Sequence, residues 1–146
     1  MAKYEGGCAH VRVTSDAEPL DNHTCHCNVC KAVTGQHTSH VAFFDWNDLK
    51  VDHPERMNRQ PYNTANPDGP MVLCTCAECG APLLVDDKLH RIRAVVPNLM
   101  GFDDANFPAA TYHAFWDESK GYAKPDDGMP VYEGTQPSFH MPEARA

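Results

Sequence analysis

Positive charge is scarce in this 146-residue chain, where 12 lysines and arginines stand against 20 aspartates and glutamates, for a formal net charge of -8. A surface that grips nucleic-acid phosphates needs the opposite sign, so no nucleic-acid partner is expected. Long apolar runs are also lacking. Val41-Ala42-Phe43-Phe44 is among the longest, far short of the roughly 20 residues that a membrane-spanning helix requires. The opening MAKYEGGCAH has no apolar core of a secretory signal. No membrane partner is therefore expected, and the reducing cytoplasm is the expected compartment. There is no internal repeat outside the cysteine clusters, and the strand and helix alternation that surrounds a thioredoxin-type Cys-x-x-Cys is missing.

What the chain does have is proline, glycine and cysteine. Twelve prolines and nine glycines predict many turns and few long helices, so a mainly β fold of short strands. One domain over residues 1–134, followed by a tail over 135–146, fits the length. Strands are expected at 8–14, 39–44, 71–73, 82–85, 91–96 and 111–116. Glu18 to Asn22 reads as a turn, as does Gly101 to Asp104. The polar stretch from Asp52 to Pro70 reads as a surface excursion. Thr24 to Gly35 reads as a tight knuckle rather than a regular helix or strand, and Gly80 as a position that needs positive φ.

Seven cysteines, an odd number in a reducing compartment, point to metal rather than disulfides. Zinc takes thiolate and imidazole tetrahedrally, and ligands a few positions apart on a short turn can reach one ion. Cys25-x-Cys27-x-x-Cys30 supplies three sulfurs and Cys76-x-x-Cys79 two, with Cys8-x-His10 as a further pair. Spacing allows two allocations. In one, Cys8, His10, Cys76 and Cys79 close a structural site, and Cys25, Cys27 and Cys30 form a second site with three protein ligands. In the other, Cys27, Cys30, Cys76 and Cys79 form a single zinc ribbon. The difference has consequences, because a three-ligand site leaves a coordination position for water or substrate. Cys74 reads as a small buried hydrophobe, His26 as pointing to solvent, and His113 as a hydrogen-bonded core residue.

With these motifs in hand, the sequence resembles the glutathione-dependent formaldehyde-activating enzyme family. The segments that carry the resemblance are Gly6-Gly7-Cys8-Ala9-His10, Cys25-His26-Cys27-Asn28-Val29-Cys30-Lys31, Cys76-Ala77-Glu78-Cys79-Gly80, His113-Ala114-Phe115-Trp116 and Asp127-Gly128-Met129-Pro130, with Trp46 where the family often carries an aromatic. The resemblance implies the Mss4-like fold, with small twisted antiparallel sheets organised around zinc knuckles. It also implies the first allocation, with two zinc ions per chain: a structural one on Cys8, His10, Cys76 and Cys79, and a catalytic one on Cys25, Cys27 and Cys30. His10 stands where the family's usual second cysteine would be, and histidine is a competent zinc ligand. The activity implied is a carbon-sulfur lyase acting on adducts of glutathione, or another thiol, with small aldehydes such as formaldehyde. Glutathione is anionic and the protein acidic, so local cations must receive it. Lys31 and Arg12 are nearest the motifs, with Arg56 and Arg59 as further candidates. The alternative is a non-catalytic zinc scaffold of the same fold, since fold does not dictate function.

Overall fold

The computed structural model describes residues 3–36, 38–102, 107–116 and 127–133. Among the described residues the regular structure comprises ten strands and one short α-helix, with a 3-10 turn at Pro54–Arg56. The mainly β expectation holds. The 135–146 tail and the end of the 101–104 turn lie outside the described residues.

A three-stranded sheet is built from β1 (Tyr4–Gly7), β2 (Arg12–Ser15) and β5 (Leu49–Val51), in the order β1-β2-β5 and antiparallel throughout. The strand expected at 8–14 is thus two strands with Cys8 and His10 in the connection between them. That connection closes on Cys8 N, which donates to the Val11 carbonyl at 2.9 Å. Gly7 makes it possible. Its φ is +98°, and a Cβ there would lie 2.2 Å from the same Val11 oxygen. Gly7→Ala should therefore cost at least about 2 kcal/mol of stability through backbone strain and loss of this closure, read as a lowered denaturation midpoint. A loss under about 0.5 kcal/mol, the range of an ordinary surface change, would show that the hairpin is not held this way.

The second sheet has seven strands in the order β10-β3-β4-β9-β8-β7-β6. Its members are β3 (Asp21–Cys25), β4 (Ser39–Asp45), β6 (Met57–Pro61), β7 (Met71–Cys76), β8 (Pro82–Asp87), β9 (Ile92–Val95) and β10 (His113–Ala114). All neighbours are antiparallel except β10, which runs parallel to β3. Three elements differ from the sequence reading. β3 begins inside the predicted turn and reads Asp-Asn-His-Thr-Cys, a polar segment that is nevertheless largely buried. It can be a strand because its polar groups are satisfied: Asp21 accepts from Tyr112 Oη and pairs with His23 Nδ1 at 2.7 Å, while Asn22 Nδ2 donates to the carbonyls of Pro108 and Ala109. β6 lies within the predicted surface excursion. As an edge strand paired only with β7 it is mostly exposed, and an edge tolerates the proline at its end. The predicted knuckle contains a true helix, α1 (Asn28–Thr34), capped at its N-terminus by Cys27 and closed by Gly35 in the left-handed conformation.

The core lies on the large sheet, with Phe44, Leu83, Leu84, Ile92 and Val95 almost fully buried. Asp86 is buried there too, between Arg59 Nη1 of β6 and Arg93 Nε of β9, each 2.9 Å away. Arg93 Nε has no hydrogen-bond geometry toward that oxygen, so this contact is purely an ion pair. Arg93 also stacks over Trp46 at 4.1 Å, which gives that aromatic a structural task. Cys74 is buried beside Arg59 and Asp86.

Candidate functional site

Four potential ligands converge at the tip shared by the two sheets. Cys8 and His10 come from the β1–β2 connection, Cys76 from the end of β7, and Cys79 from the turn before β8. Their ligand atoms all lie within 4.8 Å of one another, and Cys8 Sγ stands 4.0 Å from His10 Nδ1. Tetrahedral zinc with sulfur at about 2.3 Å separates its ligands by roughly 3.8 Å, so this donor set fits such an ion. Gly80, with φ +75°, turns the chain after Cys79 as expected, and its amide donates to the Cys76 carbonyl at 2.8 Å. The Cys79 backbone N–H is the main influence that pulls the Cys76 thiol down to about 7. Arg56 ties the two halves together: its Nη1 donates to the His10 carbonyl and its own carbonyl accepts from Ala77 N.

Cys25, Cys27 and Cys30 form a second group. Cys25 ends β3, Cys27 caps α1 and Cys30 lies in its first turn. Cys25 Sγ is 3.0 Å from Cys27 Sγ and 3.3 Å from Cys30 Sγ. Three sulfurs this close cannot all carry charge unaided. Hydrogen bonds from Cys25 and then Cys30 hold the Cys27 thiol down at about 3, while Cys25 is pushed far up by the same sharing. For Cys30, hydrogen bonding from Cys25 lowers it, but the bond with Cys27 and burial prevail and leave it at about 12. The sharing favours the thiolate at Cys27 over Cys25 and Cys30, and a dication is what would let the others ionise. The all-sulfur donor set and its compactness fit zinc. Tyr62 Oη donates to Cys30 Sγ at 3.1 Å.

These sulfurs open onto a cavity of about 690 Å³. Its walls are mainly apolar, with Val41, Phe43, Val85, Val95 and Phe115 among them. Against this background stand six polar residues that the sequence reading did not place in a site: His23, Tyr62, Asn63, Asn66, Asp87 and His90. Neither Lys31 nor Arg12 is among the lining residues. Arg12 faces Glu5 at 3.7 Å on the small sheet, and Lys31 sits partly buried on α1. Arg59 is engaged by Asp86, as described above.

His26 does not point to solvent. It is buried between the two ligand cysteines, packs edge-on against Trp116 at 5.0 Å, and its Nε2 lies 3.0 Å from His113 Nδ1. His113 Nε2 in turn donates to Asp127 Oδ2 at 2.7 Å, and that bond, ahead of the Met129 amide, holds the Asp127 carboxyl below its usual range. His113 is a buried, hydrogen-bonded residue, as expected. Three of the segments that carried the resemblance therefore meet in one chain of contacts behind the three-sulfur group.

A family model described as glutathione-dependent formaldehyde-activating enzyme matches residues 2–118. The chain belongs to that family. A solved structure of a Rhodobacter sphaeroides protein, a structural genomics target, is 18% identical, covering 66% of this chain and 86% of its own, with a TM-score of 0.46. No curated protein matches. The family is one of enzymes that activate formaldehyde with glutathione, and both cysteine groups are compatible with metal. No helix among the described residues is long and apolar enough to cross a membrane.

Proposed function

We propose that this chain is a zinc-dependent carbon-sulfur lyase that makes or cleaves adducts of glutathione, or a related thiol, with formaldehyde or another small aldehyde. The observation that carries this reading is the placement of the Cys25, Cys27 and Cys30 sulfurs, with Cys25 3.0 Å from Cys27 and 3.3 Å from Cys30, at the wall of a cavity of about 690 Å³. Cys8, His10, Cys76 and Cys79 would hold a structural zinc, and the three-sulfur group a second one. Zinc held by three thiolates would favour the deprotonated form of an entering thiol and draw charge from a carbonyl oxygen.

The chain's own residues divide the remaining work. Tyr62, donating to Cys30, shields one side of the sulfur group and fixes its orientation toward the cavity. His26, His113 and Asp127 fix the Cys25–Cys27 segment from behind. The apolar wall removes water from the adduct, which strengthens every polar contact at its reacting end. Lys31, beside Cys30 in sequence, remains the proposed receptor for a glutathione carboxylate, with Arg12 as a more distant one. Lys31→Ala should raise the glutathione Kd by about two- to fivefold, as expected for one ion pair worth up to about 1 kcal/mol. An unchanged Kd removes Lys31 from the site.

The test of the activity is direct. Zinc-loaded protein mixed with glutathione and carbon-13 formaldehyde should accelerate exchange between free aldehyde and adduct, seen by NMR exchange spectroscopy. Exchange no faster than in the protein-free control, with every thiol tried, would contradict the lyase reading.

A further inference from the structure

Asp87 and His90 form a bonded polar pair in the mainly apolar cavity wall. Asp87, the last residue of β8, is 2% exposed. Both of its carboxylate oxygens turn to one partner: Oδ1 accepts the His90 backbone N–H at 3.0 Å, and Oδ2 lies 2.8 Å from His90 Nδ1. A buried carboxylate costs free energy unless it is paired, and closing this turn requires only the Oδ1 bond. The second bond does something else. An ionised carboxylate can only accept, so Nδ1 carries the proton and the Nε2 lone pair is left available. No partner for Nε2 is found among the described residues, and the side chain is 27% exposed while lining the same cavity as the three cysteines.

Resting on the proposed lyase reading, we infer that His90 is the acid–base catalyst for the oxygen of the thiol–aldehyde adduct, and that Asp87 is its positioning residue. The chemistry requires such a group. In the cleavage direction the adduct RS–CHR′–OH gives up its hydroxyl proton to His90 Nε2. The freed pair forms the C=O bond, and the C–S bond breaks with its electrons leaving on sulfur toward the three-cysteine end. In the addition direction the sulfur pair forms the C–S bond, the C=O pair moves to oxygen, and that oxygen takes the proton from Nε2–H of the imidazolium. Nothing is oxidised or reduced. Asp87 keeps the lone pair on Nε2 in the first case and stabilises the imidazolium in the second, the division of labour known from carboxylate–histidine pairs generally. His23, Asp87, Tyr62 and the three cysteines are the titratable groups that share the cavity. His90 lies in the turn after β8, outside both cysteine groups.

The test uses the full zinc-loaded chain and the glutathione–formaldehyde adduct. His90→Gln and His90→Ala should each slow exchange by about 10²-fold or more, the usual contribution of general acid–base catalysis. Zinc content and glutathione Kd should stay as in the unsubstituted protein, while the thermal midpoint should fall by what the loss of the Asp87 partner costs, less in His90→Gln than in His90→Ala. Added imidazole should restore at least tenfold of the rate to His90→Ala and none to the unsubstituted protein, a response that a merely structural histidine would not give. Asp87→Asn should lower kcat with KM unchanged. Rates for both His90 variants within threefold of the unsubstituted protein would overturn the inference, as would slow variants that imidazole does not rescue. Absence of exchange in the unsubstituted protein would instead overturn the lyase reading, and this inference with it.

Discussion

Replacing Cys27 by serine should remove one of two zinc ions per chain and slow adduct exchange by about 10³-fold or more. Hydrogen bonds from Cys25 and then Cys30 lower the Cys27 thiol, and its loss leaves only two sulfurs of the three-cysteine group to hold a metal. Several kcal/mol of charge stabilisation attend a catalytic metal, and about 4 kcal/mol corresponds to three decades in rate. Serine is the informative substitution because Cys27 has a second task. Its Sγ accepts the Cys30 backbone N–H at 3.3 Å and so caps α1, and serine is a strong N-cap residue. The helix should survive, with stability changed by less than about 1 kcal/mol in the apo protein. Alanine at the same position should lose both metal and cap. A serine variant that keeps two zinc ions and a rate within tenfold of the unsubstituted protein would show that the three-sulfur group is not where the chemistry occurs.

The second large effect is expected at a residue outside both cysteine groups. Asp86→Ala should destabilise the protein by about 3–5 kcal/mol, the usual cost of removing one partner from a buried ion pair. Asp86 is fully buried on β8, and the guanidinium groups of Arg59 on β6 and Arg93 on β9 approach it from both sides. Its loss leaves the largely buried Arg93 guanidinium without its countercharge and beside the like charge of the half-exposed Arg59. Arg93 retains its bond to the Leu49 carbonyl and its stacking on Trp46, so the damage should centre on β6 and β7, whose end carries Cys76. Urea denaturation of the zinc-loaded protein gives the number. A destabilisation below about 1 kcal/mol would mean that water or rearrangement satisfies both arginines, and that the cluster does not hold these strands together.

The parts of the molecule that were legible in the sequence share a physical reason. Cysteine spacing is a local signal, so Cys8-x-His10, the Cys25 to Cys30 cluster and Cys76-x-x-Cys79 could be picked out as candidate ligand sets, and the fold gathers them into two groups that could hold a metal. Gly80 was legible for the same reason, since its positive φ is dictated by the turn it closes. The choice between two allocations was not local. It depended on which turn the β1–β2 connection would meet, since Cys8 follows a strand of one sheet and Cys76 ends a strand of the other, and the two are brought together only in the folded chain. Polar strands were equally hidden. Nothing in Asp21-Asn22-His23-Thr24-Cys25 alternates in the way a half-buried strand should, because its burial is paid for by partners some 90 positions away, Pro108, Ala109 and Tyr112.

His26 illustrates the other limit. Lying between two ligands, it was expected to face water, yet β10 pairs in parallel with β3 and brings His113 and Trp116 onto it. Asp87 and His90 left only an i, i+3 spacing in a turn, a pattern too common to signal a site. Their membership of one cavity with Cys25, Cys27 and Cys30 arises only when β3, β4, β8 and β9 lie side by side.

Sulfur coordination per zinc, read from X-ray absorption at the zinc edge, goes most directly to the heart of the matter. With two zinc ions per chain, one bound by three sulfurs and His10 and the other by three sulfurs and a light atom, the average is about three sulfurs per zinc. Saturating glutathione should raise it to about 3.5, as a fourth sulfur enters at one of the two ions. A single zinc per chain, or an average that glutathione leaves unchanged, would contradict an open three-cysteine centre.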